Sequence, residues 1–387
     1  VRLLHTGDWH LGRRLFGIDR LGEARAALAE IREIAARERV DAVLVAGDLT
    51  DRRMVEPAVL GACLEALEGL AEVAPVVAIT GNHDDPDLWD HLAPYLRPRI
   101  TLVSRVRPPA EAALTLEAGG VPLHVACLPW PDPKGLALEP GVDAARAHGL
   151  YADTVADLVD EYADELRRRR REAGGAAVLL AHLMVDRARP GGGERELTLG
   201  QLHAVAGGRV PQDLDYVALG HVHRSQQVPG LSGPGRYAGS PLALDFSEEG
   251  AGKCVVVVDL GDETGRAREV RLRSGRGLVR IRGPLEALPT IAADHPGAFF
   301  FCEVDLERPV LDLVREVRER VPDALRVEAR YGQRIAKGGE DDRADAPRSL
   351  LEHYADWHEE IGRPWDPALG EALTRLVGAA EDGGEAG

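Results

Sequence analysis

Leu3-Leu4-His5-Thr6-Gly7-Asp8-Trp9-His10 places a short apolar run directly before an Asp-x-His cluster. The same pattern returns along the chain. Further runs are Ala42–Ala46, Val76–Thr80, Leu123–Leu128, Val178–Ala181, Tyr216–Leu219 and Cys254–Val258. They are short and several are rich in Val and Ile, which suits strands buried on both faces. Between the first two runs, Leu21, Ala24, Leu28, Ile31 and Ile34 recur at helical spacing. After the second, Pro57 can open a helix with Leu60, Leu64, Leu67 and Leu70 on its apolar face. The alternation predicts an α/β domain of two mixed sheets packed face to face, with helices outside.

Polar clusters follow five of these runs: Asp8-Trp9-His10, Gly47-Asp48, Gly81-Asn82-His83-Asp84, Ala181-His182 and Gly220-His221-Val222-His223. Loops beyond the carboxyl ends of strands converge on one crevice in open α/β sheets. Imidazole and oxygen donors without thiolate suit manganese, iron or zinc. Glycines before Asp8, Asp48, Asn82 and His221 are expected to make tight turns that present the next side chain. One such cluster alone carries no signal, because a lone histidine or Gly-Asp is usually an ordinary surface or core feature. Five in order, each after an apolar run, point to a metal site.

Composition narrows the class further. No apolar run is long enough for a transmembrane helix, and the chain opens in a strand-like run without a signal-peptide pattern, so a cytoplasmic location is expected. The cysteines, Cys63, Cys127, Cys254 and Cys302, are scattered and form no Cys-x-x-Cys pair. That excludes zinc-ribbon and dithiol redox readings and predicts buried free thiols. The net charge of −17 opposes a nucleic-acid partner on average. Local placement matters more, and Arg13-Arg14 and Arg52-Arg53 lie just downstream of candidate ligands. Each arginine cluster by itself is read as a solvated surface.

Tyr151–Arg171 reads as an amphipathic helix with Val155, Leu158, Val159, Tyr162 and Leu166 on one side. Arg167–Arg171, followed by Gly174-Gly175, suit a helix C-terminus. Beyond Asp259 the pattern changes. Arg271–Ile281 reads as an exposed strand or linker, Phe299–Val304 as a strand, Val310–Val321 as a helix and Leu325–Arg330 as a strand. Together they suggest a small α+β domain. Lys337–Arg348 is polar, glycine-rich and acidic, as in a linker. Ser349-Leu350-Leu351-Glu352 is a capping box, and Asp366-Pro367 is a second helix start. Two such short amphipathic helices need another surface to dock on.

The clusters and their flanks resemble the calcineurin-like metallophosphoesterase superfamily over roughly residues 1–260. Leu4–Arg13, Val45–Asp51 and Tyr216–Arg224, with Tyr237–Leu242, Phe246–Glu249 and Lys253, look like the SbcD family of DNA-repair nuclease subunits within it. The resemblance implies a two-sheet sandwich over 1–270, a capping domain over 271–336, a linker over 337–346 and a partner-binding helical segment over 347–387. It implies two divalent ions, most naturally Mn2+. Asp8, His10 and His223 would hold one, Asn82, His182 and His221 the other, and Asp48 would bridge. Two such cations can hold a scissile phosphate and acidify a bound water. His83 would stabilise the transition state or protonate the leaving group, with Asp84 orienting it through a hydrogen bond. It further implies manganese-dependent action on DNA: 3′–5′ exonuclease on duplex ends and endonuclease on single strands or hairpins. The partner would be an SbcC-type coiled-coil ATPase bound through the C-terminal helices. A homodimer would form through helices within 55–72 and 87–97. The competing readings are a small-molecule or phosphoprotein phosphatase on the same metals and a scaffold that has lost catalysis. The family departures are Gly7 in place of serine and a loosely matching loop at Leu128-Pro129-Trp130-Pro131.

Overall fold

The computed structural model describes residues 1–331 apart from 97, 134–143, 192–203, 251 and 262–265. The expected linker (337–346) and helical segment (347–387) lie outside the described residues, as do 332–336 of the expected cap and Arg97. In chain order, the first half contains β1 (Arg2–Thr6), a small hairpin of β2 (Arg14–Leu15) and β3 (Ile18–Asp19), and α1 (Leu21–Glu38). It continues with β4 (Ala42–Ala46), α2 (Pro57–Val73), β5 (Val76–Ile79), α3 (Pro86–Leu92) and β6 (Ile100–Val103). Then come α4 (Pro109–Ala112), β7 (Ala113–Ala118), β8 (Val121–Leu128), α5 (Ala144–Ala173), β9 (Ala176–His182) and β10 (Tyr216–Gly220). The short strands β11 (Gln226–Gln227) and β12 (Gly235–Tyr237) precede β13 (Cys254–Asp259) and β14 (Arg266–Arg271).

These strands form two six-stranded mixed sheets, ordered β14-β13-β1-β4-β5-β6 and β11-β12-β10-β9-β8-β7. The apolar runs are continuous because both faces of each central strand are covered. In β4, Leu44 and Ala46 point into the core between the sheets, where they meet Val178 and Leu180 of β9. Val43 and Val45 point outward, to the layer that holds Ile31 and Ile34 of α1 and Leu67 of α2. On the other side, Leu179 and Ala181 of β9 pack with Val155, Tyr162 and Leu166 of α5. Full burial of each such Leu or Ile stabilises the fold by about 1.5–3 kcal/mol, so Ile31→Ala would cost about 2–5 kcal/mol once the cavity is included.

The expected sandwich is therefore formed, with some adjustments. The inward face of α2 is Val59, Ala62, Cys63, Leu67 and Leu70, while Leu60 and Leu64 are only partly covered. β6 and the outer strand β7 went unanticipated, since their runs are short or alternate with polar residues. Four of the arginines at the end of α5 are spent on ion pairs within the helix and with the segment leading into β10. Arg167 pairs with Asp164 and Asp213, Arg168 with Glu165 and Glu172, Arg169 with Glu165, and Arg170 with Asp215. All four cysteines are buried and free. No helix among the described residues is long and apolar enough to cross a membrane.

A separate three-stranded parallel sheet follows: β15 (Leu278–Gly283), α6 (Leu288–Ala293), β16 (Phe299–Leu306), α7 (Leu313–Arg320) and β17 (Ala324–Tyr331), in strand order β15-β16-β17. Arg271–Ile281 is thus not one strand. It closes β14, crosses over and opens β15. The helix expected from Val310 starts at Leu313, and α6 had no helical period long enough to read. One face of this sheet, with Phe300, Cys302 and Val304, packs under α6 and α7. The opposite face offers Leu278, Phe299 and Phe301 to Leu15 and Phe246 of the sandwich.

Candidate metal centre

The polar clusters all sit at the carboxyl ends of β1, β4, β5, β9 and β10, and the parallel pairing of β1 with β4 and of β9 with β10 turns them toward one place. The first two loops are zipped together by Asp8 N–H to Gly47 O (2.9 Å), His10 N–H to Asp48 O (3.0 Å) and Leu11 N–H to Leu49 O (3.1 Å). The backbone there is unusual: Asp8, His10, Asp48 and His221 all have positive φ, between 44° and 100°. Non-glycine residues hold such conformations at a cost of about 1–3 kcal/mol each, and do so where the surroundings over-determine them. The glycines preceding the ligands play a different part from the one expected. Of these, only Gly47 has positive φ. Gly81 and Gly220 are needed for space, because a side chain on Gly81 would collide with the Asp48 carboxylate and one on Gly220 with the Ala46 carbonyl.

All seven expected ligands come together. His10 Nε2 and His223 Nε2 face each other at 2.9 Å. Asn82 Oδ1 lies 3.1 Å from His182 Nε2 and 3.0 Å from His221 Nδ1. Between the two groups stands Asp48, with Oδ2 3.4 Å from His10 Nε2 and 3.5 Å from His182 Nε2. Donor atoms about 2.1 Å from a shared cation stand about 3.0–3.4 Å apart, so these spacings fit a metal at the centre of each group. Asp8 supplies the sharper test. Its Oδ1 accepts from His221 N–H at 2.9 Å, yet its buried Oδ2 has no hydrogen-bond partner among the described residues. An orphaned carboxylate oxygen is costly unless a cation takes it.

Electrostatics agree with that reading. Burial, with the Asp48 charge, pushes the Asp8 carboxyl up to about 6 against the pull of His182 and His223. Burial pushes the His10 imidazole down to about 4, although Asp48 and Asp51 oppose this. A neutral imidazole is the form that ligates. Burial works against ionisation of Asp48, but His182, His10 and His83 bring it below the ordinary carboxylate range. His182 Nδ1 donates to Ala46 O at 2.8 Å, which leaves Nε2 for the site.

His83 stands beside this assembly, its ring edge-on to His10 at 4.6 Å, and it comes close enough to His10 and Asp48 to share their metal-binding group. Its Nδ1 donates to the Asp51 carbonyl at 2.8 Å. The hydrogen bond expected between Asp84 and His83 is not the one formed. The Asp84 carboxylate instead accepts from Leu49 N (3.1 Å), Thr50 N (2.9 Å), Thr50 Oγ1 (3.0 Å) and Gly81 N (2.8 Å). It is a brace between the second and third loops. Burial and the neighbouring Asp48 push its carboxyl up to about 7, against three amide donors.

The described part of the chain thus carries a buried nest of imidazoles and carboxylates at the ends of two sheets. The calcineurin-like phosphoesterase profile matches residues 1–225. The SbcD subunit of the SbcCD nuclease from Bacillus subtilis (strain 168) is 34% identical over 296 residues, which is 72% of this chain and 72% of that protein. The chain belongs to the SbcD family of calcineurin-like phosphoesterases. The corresponding SbcCD nuclease subunit of Rhodobacter capsulatus is 31% identical over 341 residues, covering 81% of this chain and 82% of that one. As a member of this family the chain is a two-metal phosphodiesterase, and its centre takes divalent cations.

Three positions around the SbcD-type centre escaped the sequence reading. Asp51 Oδ1 lies 3.5 Å from His10 Nδ1 and accepts from Arg13 Nη1 at 3.2 Å. Glu248 Oε1 lies 3.7 Å from His223 Nδ1, and its Oε2 is clamped by Lys253. Burial opposes ionisation of Glu248, but His223 and Lys253 hold it below its ordinary range. Both carboxylates stand behind a histidine, at 3.5 and 3.7 Å and so just outside hydrogen-bonding distance, where their charge favours a basic ring and a small approach would orient it. The third is Trp130, whose indole stacks on His221 at 5.1 Å and 24°. Asp51 and Glu248 were both within the family-like stretches, but only their contacts separate them from ordinary surface acids.

Proposed function

We propose that this chain is a manganese-dependent DNA nuclease that acts with an SbcC-type ATPase in repair and recombination. The observation that carries the reading is the pair of donor groups meeting at Asp48, with the orphaned Asp8 oxygen beside them. Asp8, His10 and His223 would hold one ion, Asn82, His182 and His221 the other, and Asp48 would serve both. When bound, two such cations clamp the phosphoryl oxygens and acidify a water for in-line attack. The protein's own share is to hold the donors in place through left-handed backbone and carboxylate-backed histidines, and to offer His83 beside them. With Nδ1–H committed to the Asp51 carbonyl, the other His83 nitrogen is left to face the substrate, and in the imidazolium form its N–H would stabilise charge or pass its proton to the leaving oxygen, leaving the neutral ring. Asp84 acts only by bracing the loops.

DNA as substrate is supported by the names of the relatives and by cations at the rim. Arg52, Arg53 and Arg187 are largely exposed, each in a loose surface pair with an aspartate that a phosphate could displace, and Arg224 and Arg271 line a polar hollow next to His223 together with Glu269. Such cations can serve DNA despite the acidic average because phosphate contacts are local. The activities proposed are 3′–5′ exonuclease on duplex ends and endonuclease on single strands or hairpins. Residues 271–336 are assigned to capping DNA, 347–387 to the ATPase partner, and helices within 55–72 and 87–97 to a homodimer. Four buried reduced cysteines fit the cytoplasm. The test is cleavage of a labelled duplex and a labelled hairpin by the full chain with Mn2+, run beside a chromogenic phosphomonoester. Cutting of DNA that His83→Ala removes is expected. Turnover of the monoester alone, with DNA intact, would establish a phosphatase instead.

A further inference from the structure

His223 has a buried ion pair behind it. Glu248 is 3% exposed and reaches His223 Nδ1 on the side of the ring away from His10. Lys253, which clamps Glu248, also donates to His223 O at 3.1 Å and to Ser240 Oγ at 2.8 Å. The carboxylate 3.7 Å behind the ring is therefore itself held in place, as one that backs a metal-binding histidine must be.

Glu248 belongs to a single tight turn, Phe246–Glu248, capped by Asp245, whose side chain accepts from Ser247 N–H at 2.8 Å. Phe246, which opens the turn, and Glu249, which caps its end, are both held by the three-stranded sheet. Phe246 is buried against Leu278, Phe299 and Phe301, with its ring edge-on to Phe301 at 5.8 Å. Glu249 Oε1 accepts from the backbone N–H of Arg280 in β15 at 2.7 Å. Along the turn, contacts thus alternate between the small sheet, the histidine and the small sheet again.

We infer that the turn Asp245–Glu249 links the seating of the three-stranded sheet to the metal centre, with Glu248 as a positioning residue for His223. This rests on the reading of His223 as a metal ligand. One hydrogen-bonded turn cannot let Phe246 and Glu249 move with the sheet while Glu248 stays behind. A well-seated sheet therefore keeps the His223 ring aimed at its cation, and a displaced one releases it. The small sheet contributes to ion binding without supplying a ligand.

The experiment is a titration of the full chain with Mn2+ alone, reading free Mn2+ by electron paramagnetic resonance and folding by circular dichroism. Two ions are expected to bind the unaltered protein. Glu248→Gln should weaken one of them by about tenfold or more and leave the other. Phe301→Leu should weaken the same ion by about threefold. Glu249→Ala removes an exposed side chain that folding does not need, and should reproduce the Phe301→Leu shift. Leu313→Ala, which disturbs the helix-covered face of the small sheet, should lower the melting temperature and leave both affinities unchanged. Unchanged binding in Glu248→Gln and Glu249→Ala, or equal shifts in Phe301→Leu and Leu313→Ala, would overturn the link while the metal site stands. An unaltered protein that binds no Mn2+ would overturn the proposed function and this inference together.

Discussion

The two sheets of the sandwich and the small sheet beside them put polar chemistry to opposite uses. At the strand ends of the sandwich, imidazoles and carboxylates are buried, backed by further carboxylates and locked into left-handed backbone. On the inner face of the small sheet the carboxylates Glu303 and Asp305 are spent on surface pairs with Arg330 and Arg282, while Phe299 and Phe301 are covered by guanidinium groups, with Arg276 3.7 Å from the Phe299 ring centre, and Arg280 and Arg326 each 4.6 Å from that of Phe301. One region stores strain and desolvation cost that a cation can offset. The other uses apolar contact with a cationic fringe, which can yield and re-form cheaply. Precision belongs to the region with the rigid backbone, and adjustability to the region beside it.

If that division holds, substitutions should separate cleanly by size. Asp48→Asn removes the shared oxygen of both groups and should lower nuclease kcat by on the order of 10³-fold or more, with loss of metal seen by mass spectrometry. His83→Ala should lower kcat by about 10²–10³-fold while the metal content stays at the wild-type value. A drop in metal content would make His83 a ligand and redraw the site. Asp84→Asn sets an amide group against backbone donors and should cost about 3 kcal/mol of stability in urea denaturation.

The sandwich core also predicts acid sensitivity independent of the metals. His5 lies between the sheets with Nδ1 3.1 Å from the Tyr216 hydroxyl, and burial pushes it down to about 3. Because the folded value lies below the unfolded one, its stabilisation is complete above about pH 6.5 and is lost as the pH falls toward 3. The loss approaches about 1.4 kcal/mol per pH unit. His5→Asn should narrow the difference between urea midpoints at pH 7.5 and pH 5; an unchanged difference would clear His5 of the effect. The smallest change belongs to the adjustable region. Arg326→Met, which keeps the stem over Phe301 but not the charge, should cost only about 0.5–1 kcal/mol in the same assay.

What the sequence discloses divides along the same line. The central strands were legible because burial on both faces leaves unbroken apolar runs, and the candidate ligands were legible because each follows such a run. Asp84 does not orient His83 as expected. Adjacency in sequence suggested contact, whereas the chain turns Asp84 back onto the amides of Leu49, Thr50 and Gly81. The tight turns at Asp8 and His221 were attributed to the preceding glycines, since residue type shows who can adopt φ > 0 and not who is forced to. Glu248 and Trp130 lie in stretches already compared with the family, but they reach the site from loops whose path depends on tertiary packing, so their contacts could not be read locally. The small sheet was seen only in outline because α6 spans less than two helical turns.

The most direct test of a shared two-ion centre is the anomalous scattering of crystals grown with Mn2+. Two peaks are predicted, one among Asp8, His10 and His223 and the other among Asn82, His182 and His221, with Asp48 touching both. A single peak, or a pair that leaves Asp48 or His223 outside the coordination sphere, would contradict the account.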